Sequence, residues 1–188
     1  SRDLTDDAIF PSKGSRNRAT VEQYGLIFGG DVDFARFSLS TSWFFPVFED
    51  YVFNVRARAG YELGVSGQDV RIYVSYILGG INSLRGLRDV GPKDPATGDV
   101  IGGTTMFVAN VEFLFPLIKN AGMKGLFFYD TGNTWESGYH LNDLRQTAGA
   151  GVRWYSPIGP LRLEWGYVLD REEGESASRF EFTIGWFM

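Results

Sequence analysis

The strongest restriction on the fold comes from a strict alternation of apolar and polar residues. From Tyr51 to Tyr61 every odd-numbered position is aromatic or apolar, whereas the even-numbered positions from Asn54 to Gly60 carry Asn, Arg or Gly. Successive side chains of a β-strand point to opposite faces of its sheet. This stretch therefore predicts a long strand with one apolar face and one polar face.

The same period of two recurs along the chain and predicts eight antiparallel strands. The predicted strands cover residues 16–24, 34–45, 51–61, 105–115, 124–134, 145–154, 161–167 and 180–188. Proline and glycine between strands, as in the segment from Ser156 to Pro160, indicate tight turns, and residues 66–103 form the one long connection. No segment has a convincing helical period, so the predicted fold class is all-β.

Two features favour a transmembrane barrel over a soluble β-sandwich, which would show the same alternation. The polar faces carry Arg, Glu and Gly and are poor in Lys, a composition that suits an enclosed lumen with paired charges. Aromatic residues make up 16% of the chain and cluster at strand ends, like the aromatic girdles of outer-membrane barrels. No apolar run is long enough for a transmembrane helix. Strands can cross a membrane only as a closed barrel.

Composition also excludes several kinds of site. The chain has no cysteine, which excludes disulfides, thiol nucleophiles and zinc sites with Cys ligands. Its single histidine, His140, excludes a two-His metal site and is interpreted as a solvated loop residue. No hydrolase, metalloprotease or phosphate-loop motif is present, so we expect no catalytic residue, no metal site, no cofactor and no enzymatic activity. The net charge of -5 argues against a nucleic-acid partner.

Four motifs, in order along the chain, resemble the C-terminal half of the barrel of the Omp85 family. They are residues 79–87 (GGINSLRGL), 127–135 (FFYDTGNTW), 156–161 (SPIGPL) and 180–188 (FEFTIGWFM), and residues 10–15 (FPSKGS) resemble a family turn. The resemblance implies an antiparallel transmembrane β-barrel of sixteen strands, of which this chain supplies about eight. Residues 1–188 would then form a single barrel domain without the periplasmic POTRA domains of the family.

The resemblance also implies a function. Family members of this type lie in the outer membrane of Gram-negative bacteria and fold and insert other outer-membrane proteins without covalent catalysis. The implied partners are the lipid bilayer, unfolded outer-membrane proteins, lipoproteins of the assembly machinery and, through strand edges, a second copy of the chain. Two alternatives are a structural eight-stranded barrel or narrow pore without insertase activity, and an Omp85-type secretion translocator.

One loop motif implies a specific contact inside the barrel. In the family, a long extracellular loop carries a (Val/Ile)-Arg-Gly-(Phe/Tyr) motif that folds back into the lumen, where its arginine pairs with acidic residues of the following strands. The matching segment here reads Leu84-Arg85-Gly86-Leu87. By this resemblance Glu112 and Asp130 are the acidic partners of Arg85, whose planar guanidinium can engage carboxylates bidentately. Gly86 would permit a turn that a residue with a Cβ resists.

The last predicted strand carries a second family feature. Outer-membrane barrels end in a strand of alternating aromatic residues that the assembly machinery reads as a signal and that forms one edge of the barrel seam. The residues in these positions are Phe180, Phe182, Ile184, Trp186 and Met188. Met188 stands where the family usually has Phe or Trp.

The number of strands leaves the closure of the barrel open. A closed barrel of eight strands has an interior only just wide enough for side chains, so the loop could not enter it. The chain could be half of a larger barrel, or two copies could supply sixteen strands. Alternatively, eight strands close on themselves around paired charges and leave the loop outside. The basic residues of that alternative are Arg36, Arg56, Arg58, Arg153 and Arg162, and its acidic residues are Glu22, Glu112, Asp130, Glu164 and Glu181.

Overall fold

The computed structural model describes residues 1–7, 11–24, 34–64, 75–156 and 159–185, which form one antiparallel sheet of nine strands. The strands are β1 (Arg2–Asp3), β2 (Gly14–Tyr24), β3 (Phe34–Phe48), β4 (Tyr51–Gly64), β5 (Thr105–Ile118), β6 (Met123–Trp135), β7 (Arg145–Ser156), β8 (Gly159–Val168) and β9 (Ser178–Ile184). A short 3-10 turn, Lys119–Ala121, joins β5 to β6. No helix in these ranges has the length and apolar character to cross a membrane.

Each strand pairs with the next one along the chain, so the sheet order is β1 to β9 without crossovers. The all-β antiparallel prediction is confirmed. Seven of the eight predicted strands fall within β2 to β8, and the eighth, residues 180–188, overlaps β9 from residue 180 to residue 184. The two-residue strand β1 was not predicted. Residues 186–188 of the last predicted strand, Phe10 of the predicted turn, and residues 157–158 between β7 and β8 lie outside the described residues.

The sheet is open. Its two edges are β1 and β9, and within the described ranges no hydrogen-bond ladder joins them. The alternative in which eight strands close on themselves therefore does not describe this sheet. An open edge leaves backbone N–H and C=O groups available to another strand.

The two faces of the sheet differ sharply in polarity. The inner face carries the even-numbered residues of β2 to β6 and β8 and the odd-numbered residues of β7 and β9, including buried Glu112, Asp130 and Glu164. The outer face exposes large apolar side chains, among them Phe37, Leu39, Trp43, Phe45, Phe53, Phe127, Leu163, Phe180 and Phe182. Because such a surface is unfavourable in water and favourable in lipid, the outer face is the wall that meets the membrane.

Aromatic rings form a belt on the outer face near the short turns. The rings of Tyr51 and Phe113 lie 5.9 Å apart, those of Phe113 and Phe115 lie 6.4 Å apart, and those of Phe115 and Phe127 lie 5.4 Å apart. The belt crosses β4, β5 and β6 at one level of the sheet. Aromatic belts at this level are typical of barrel strands at a membrane interface.

The long connection between β4 and β5 packs on the inner face. In its described part, residues 75–104, isolated bridges pair Tyr76 with Gly103 and Leu78 with Val90. A buried apolar cluster joins this loop to the sheet, with Leu78, Leu84, Leu87 and Val90 from the loop, Val108 from β5 and Val168 from β8. The burial of these side chains holds the loop across the middle of the sheet.

Candidate functional site

The candidate site is built around the turn that presents Arg85 to the inner face. The hydroxyl of Ser83 donates a hydrogen bond to the carbonyl of Gly79 at 2.7 Å and accepts one from the Gly79 N–H at 2.8 Å. The N–H of Gly80 donates to the carbonyl of Leu87 at 2.9 Å and closes the turn. These bonds fold residues 79–87 into a compact tip, so that Arg85 points into the sheet from a defined backbone.

Arg85 is 1% exposed and contacts three carboxylates. Its Nε and Nη2 engage both oxygens of Asp130, at 2.7 and 2.5 Å. Its Nη1 lies 2.7 Å from Oε1 of Glu112 and 2.8 Å from Oε2 of Glu164. The backbone N–H of Arg85 also donates to Asp130, at 3.1 Å. Four of the five N–H groups of the guanidinium therefore donate to carboxylates, and the geometry is that of strong charge-assisted hydrogen bonds.

The register of the sheet explains why these groups meet at one place. Glu112 on β5 faces Phe128 on β6, which faces Gly149 on β7, and Gly149 faces Gly166 on β8. Gly149 leaves space for the ring of Phe128, and Gly166 leaves space for the loop backbone at Arg85 and Gly86. The guanidinium carbon of Arg85 lies 3.6 Å from the centre of the Phe128 ring, a cation–π contact.

Two further arginines balance the charge of the site. Arg153 on β7 lies 2.6 Å from Glu112 and 2.9 Å from Glu164, and Arg162 on β8 lies 2.9 Å from Glu164. With Arg85 and Asp130, the group contains three arginines and three carboxylates, and we call it the arginine network. Burial of charges is costly unless each is paired and hydrogen-bonded, and this network meets that condition.

The carboxylates also keep Arg85 charged. Burial by itself would lower the pKa of its guanidinium, but the nearby charges of Glu112, Asp130 and Glu164 hold that pKa above its ordinary value. The side chain therefore acts as a permanent cation that ties the loop to three strands.

A close backbone contact completes the site beside the arginine network. Gly86 has a φ of 94°, and a Cβ there would lie 2.8 Å from the carbonyl carbon and oxygen of Gly166 on β8. A Cβ on Gly166 would lie 2.5 Å from the carbonyl atoms of Arg85. The N–H of Gly86 donates to Glu181 on β9 at 3.2 Å. The loop can approach β8 this closely because both contact positions, Gly86 and Gly166, lack a Cβ.

The structure brings together the four residues that the resemblance had singled out, Arg85, Gly86, Glu112 and Asp130. Their function as a brace inside a barrel stays a prediction. Glu164 was not predicted as a partner of Arg85 and was expected only among the acidic residues of the lumen. Alternation places Glu164 on the polar face, but no sequence signal gives its distance from the loop.

The other predicted charge pairs are only partly formed. Arg36 pairs with Glu62 at 2.6 Å and with Glu22 at 4.0 Å, and Arg153 and Arg162 belong to the arginine network. Within the described part of the chain, Arg56 and Arg58 have no carboxylate within ion-pair distance. Arg56 donates instead to the amide oxygen of Asn110 at 3.1 Å, and Arg58 to the carbonyl of Asn82 at 2.5 Å.

The predicted seam strand lies at the edge of the sheet. The side chains of Phe180, Phe182 and Ile184 on β9 are 70%, 60% and 57% exposed on the outer face. Trp186 and Met188 lie outside the described residues. The reading of this strand as an assembly signal stays a prediction.

Comparison with known proteins places these features in a family. The Omp85 superfamily domain matches residues 1–188. The chain is 34% identical over 194 aligned residues to the outer membrane protein assembly factor BamA of Nitratidesulfovibrio vulgaris, covering 100% of this chain and 24% of the relative. It is 33% identical over 167 residues to the protein of the same name from Neorickettsia risticii, covering 83% of this chain and 22% of the relative. The chain thus spans about a quarter of the length of these relatives.

A solved structure shows the same fold. The crystal structure of BamA from Haemophilus ducreyi lacking POTRA domains 1-3 matches with a TM-score of 0.85 and 24% sequence identity. The match covers 98% of this chain and 40% of that chain. The open sheet described above therefore corresponds to part of a β-barrel.

Proposed function

Because the chain belongs to the Omp85 superfamily, we propose that it supplies part of the membrane barrel of an outer-membrane protein assembly factor. The protein that carries this barrel segment would lie in the outer membrane of a Gram-negative bacterium and would fold and insert other outer-membrane proteins. Its partners would be the lipid bilayer, unfolded outer-membrane proteins and lipoproteins of the assembly machinery. The names of the two BamA relatives support this activity.

The observation that carries the proposal is the loop held by Arg85 across the inner face. The arginine network ties the loop to β5, β6 and β8, and the Gly86 N–H ties it to Glu181 on β9. A wall braced in this way holds the edge strand β9 in a constant position. The unpaired backbone groups of an edge strand can receive an incoming strand by β-augmentation. This templating step forms hydrogen bonds only, so it requires no catalytic residue and no cofactor.

A chimera tests the proposed function. The matched segment of the Nitratidesulfovibrio vulgaris relative is replaced by this chain, and the protein is reconstituted into lipid vesicles. We expect a urea-unfolded outer-membrane protein to fold severalfold faster in these vesicles than in protein-free ones, because the edge strand and the braced wall are retained. Folding is followed by the shift of the substrate in unheated gel electrophoresis.

One result would contradict the proposal, and a second measurement would then test the pore alternative. A chimera that resists heat and protease like a folded barrel, yet leaves the folding rate at the protein-free value, excludes the assembly function. Ion conductance across the vesicles in that case would favour the narrow pore. The control is the relative with its own segment, reconstituted at the same ratio of protein to lipid.

The two open edges predict self-association of the isolated chain. Unpaired backbone groups in the hydrocarbon region cost several kcal/mol each, roughly, so an open sheet in detergent or lipid gains by pairing its edges with another copy. We expect the solubilised 188-residue chain to have at least twice its monomer mass of 21.1 kDa. Light scattering corrected for bound detergent measures this mass. A stable monomer over a wide range of protein concentrations would contradict the expectation.

A further inference from the structure

A second group of inner-face residues lies apart from the arginine network, on β2, β3 and β4. We call it the basic cradle. Its six members are Arg16, Arg18, Ser40, Ser42, Arg56 and Arg58. The assembly function proposed above does not use this group.

The strand register arranges the basic cradle in two rows. In the first row Arg16 on β2 faces Ser42 on β3, and Ser42 faces Arg56 on β4. In the second row Arg18, Ser40 and Arg58 follow the same order. Neighbouring strands lie about 4.8 Å apart, and residues two positions apart on a strand are separated by about 7 Å. Each serine is therefore flanked in the register by two arginine residues, and the two rows are about 7 Å apart.

The cradle carries positive charge that the described residues do not neutralise. Arg18, Arg56 and Arg58 have no carboxylate within ion-pair distance in the described ranges, whereas Arg16 is paired with Asp3 at 2.7 Å. The Nε of Arg58 is buried without a hydrogen-bond partner. Neither Ser40 nor Ser42 uses its hydroxyl in a bond to another described residue. Among the described residues, the cradle thus has unused hydrogen-bond donors and charge without a carboxylate partner.

A cavity of about 530 Å³ lies over the basic cradle. Of the described residues that line it, eight are cationic and two are acidic, in a chain whose net charge is -5. One of the two acids, Glu112, already contacts Arg85 and Arg153, and the other is Asp3, the partner of Arg16. The volume lies in the range of small-molecule sites.

We propose that the basic cradle binds a ligand carrying phosphate groups, seated between its two rows. A phosphate has several strong acceptor oxygens and more charge than a carboxylate, so it can take hydrogen bonds from two guanidinium forks and one hydroxyl together. The phosphate groups of a diphosphate are closer together than the two rows, so such a ligand fits between the rows and meets arginines of both. A soluble polyphosphate compound and the phosphorylated headgroup of a lipid share this chemistry.

The binding test uses the 188-residue chain in a nonionic detergent and inorganic pyrophosphate as the probe. Calorimetric titration is expected to show saturable binding that weakens as salt is added. The double variant Arg18→Gln/Arg56→Gln is expected to bind at least about tenfold more weakly, because it loses charge-assisted contacts in both rows. The matched control, Arg171→Gln/Arg179→Gln, changes the net charge equally outside the cradle and should bind like the unchanged chain.

A second measurement identifies the source of the phosphate. Native mass spectrometry of micelles doped with phosphatidic acid or phosphatidylcholine shows which lipid stays bound. Retention of phosphatidic acid, displaced by pyrophosphate, assigns the cradle to a lipid headgroup, and pyrophosphate binding without lipid retention assigns it to a soluble ligand. Absence of both kinds of binding, or equal weakening in the two double variants, overturns the proposal. That result would leave the assembly function untouched, because the chimera measures it separately.

Discussion

Replacing Arg85 with methionine is expected to release the loop from the inner face and to lower the free energy of unfolding by about 3–5 kcal/mol. The methionine keeps much of the side-chain volume but removes the cation that contacts Glu112, Asp130 and Glu164. Asp130 is 0% exposed, so its charge would be left buried without an ion-pair partner within the network. Removal of one member of a buried charge network is costly for this reason.

Hydrogen exchange measured by mass spectrometry in detergent or nanodiscs checks this expectation. Peptides covering residues 78–90 should change from slow to fast exchange, whereas peptides from β5 and β6 should stay protected by their ladders. Urea unfolding in lipid vesicles measures the loss of stability. Arg171→Met, at an exposed position of the loop between β8 and β9, is the matched control and should leave both measurements unchanged. Slow exchange of residues 78–90 in Arg85→Met would show that the network does not hold the loop.

Arg85→Lys separates charge from geometry. Lysine keeps one positive charge but lacks the planar guanidinium. The guanidinium engages both oxygens of Asp130 and at the same time contacts Glu112 and Glu164. We expect loop exchange between that of the unchanged chain and that of Arg85→Met. This variant belongs to the same series and uses the same peptides.

Gly166→Ala is expected to displace the same loop without changing any charge. The added Cβ would lie 2.5 Å from the carbonyl carbon and oxygen of Arg85 and 2.6 Å from the backbone nitrogen of Gly86. These are backbone atoms, so no side-chain rotation can relieve the overlap, and either the loop or β8 has to move. Overpacking of this kind costs about 1–3 kcal/mol. Peptides covering residues 78–90 should exchange faster, to a smaller extent than in Arg85→Met.

Gly98→Ala is the control for the added methyl group. Gly98 also lies in the connection between β4 and β5, but a Cβ there would have no atom within 4 Å. Because the φ of Gly98 is positive, an alanine there is strained, but this strain is confined to the turn around residue 98. The exchange of residues 78–90 should therefore match that of the unchanged chain. If Gly166→Ala also leaves this exchange unchanged, the contact between Gly86 and Gly166 does not seat the loop.

The strands and their two faces could be predicted because alternation is a local property. From Tyr51 to Tyr61 each side chain is assigned to a face by its position relative to its neighbours, without knowledge of the partner strand. The structure places these residues in β4, with the apolar positions on the outer face. The short strand β1 could not be found in this way, because two residues are too few to show a period.

Only part of the candidate site could be predicted from the sequence. The resemblance pointed to Arg85, Gly86, Glu112 and Asp130, since their residue types and order match a family motif. Glu164 and Phe128 were missed as contacts of Arg85, although alternation gives their faces. Their distance from the loop depends on the register of four strands and on the space left by Gly149 and Gly166.

The all-β class, the strand positions and the outer and inner faces thus follow from the order of residues along the chain, because neighbouring residues alone set them. The open edges at β1 and β9, the docking of the loop and the three carboxylates around Arg85 follow only from the assembled sheet, as does the position of the basic cradle. Each of these features depends on the register between strands and on contacts between residues far apart in sequence. No single segment contains that information, because the energy of such contacts exists only after the strands have paired.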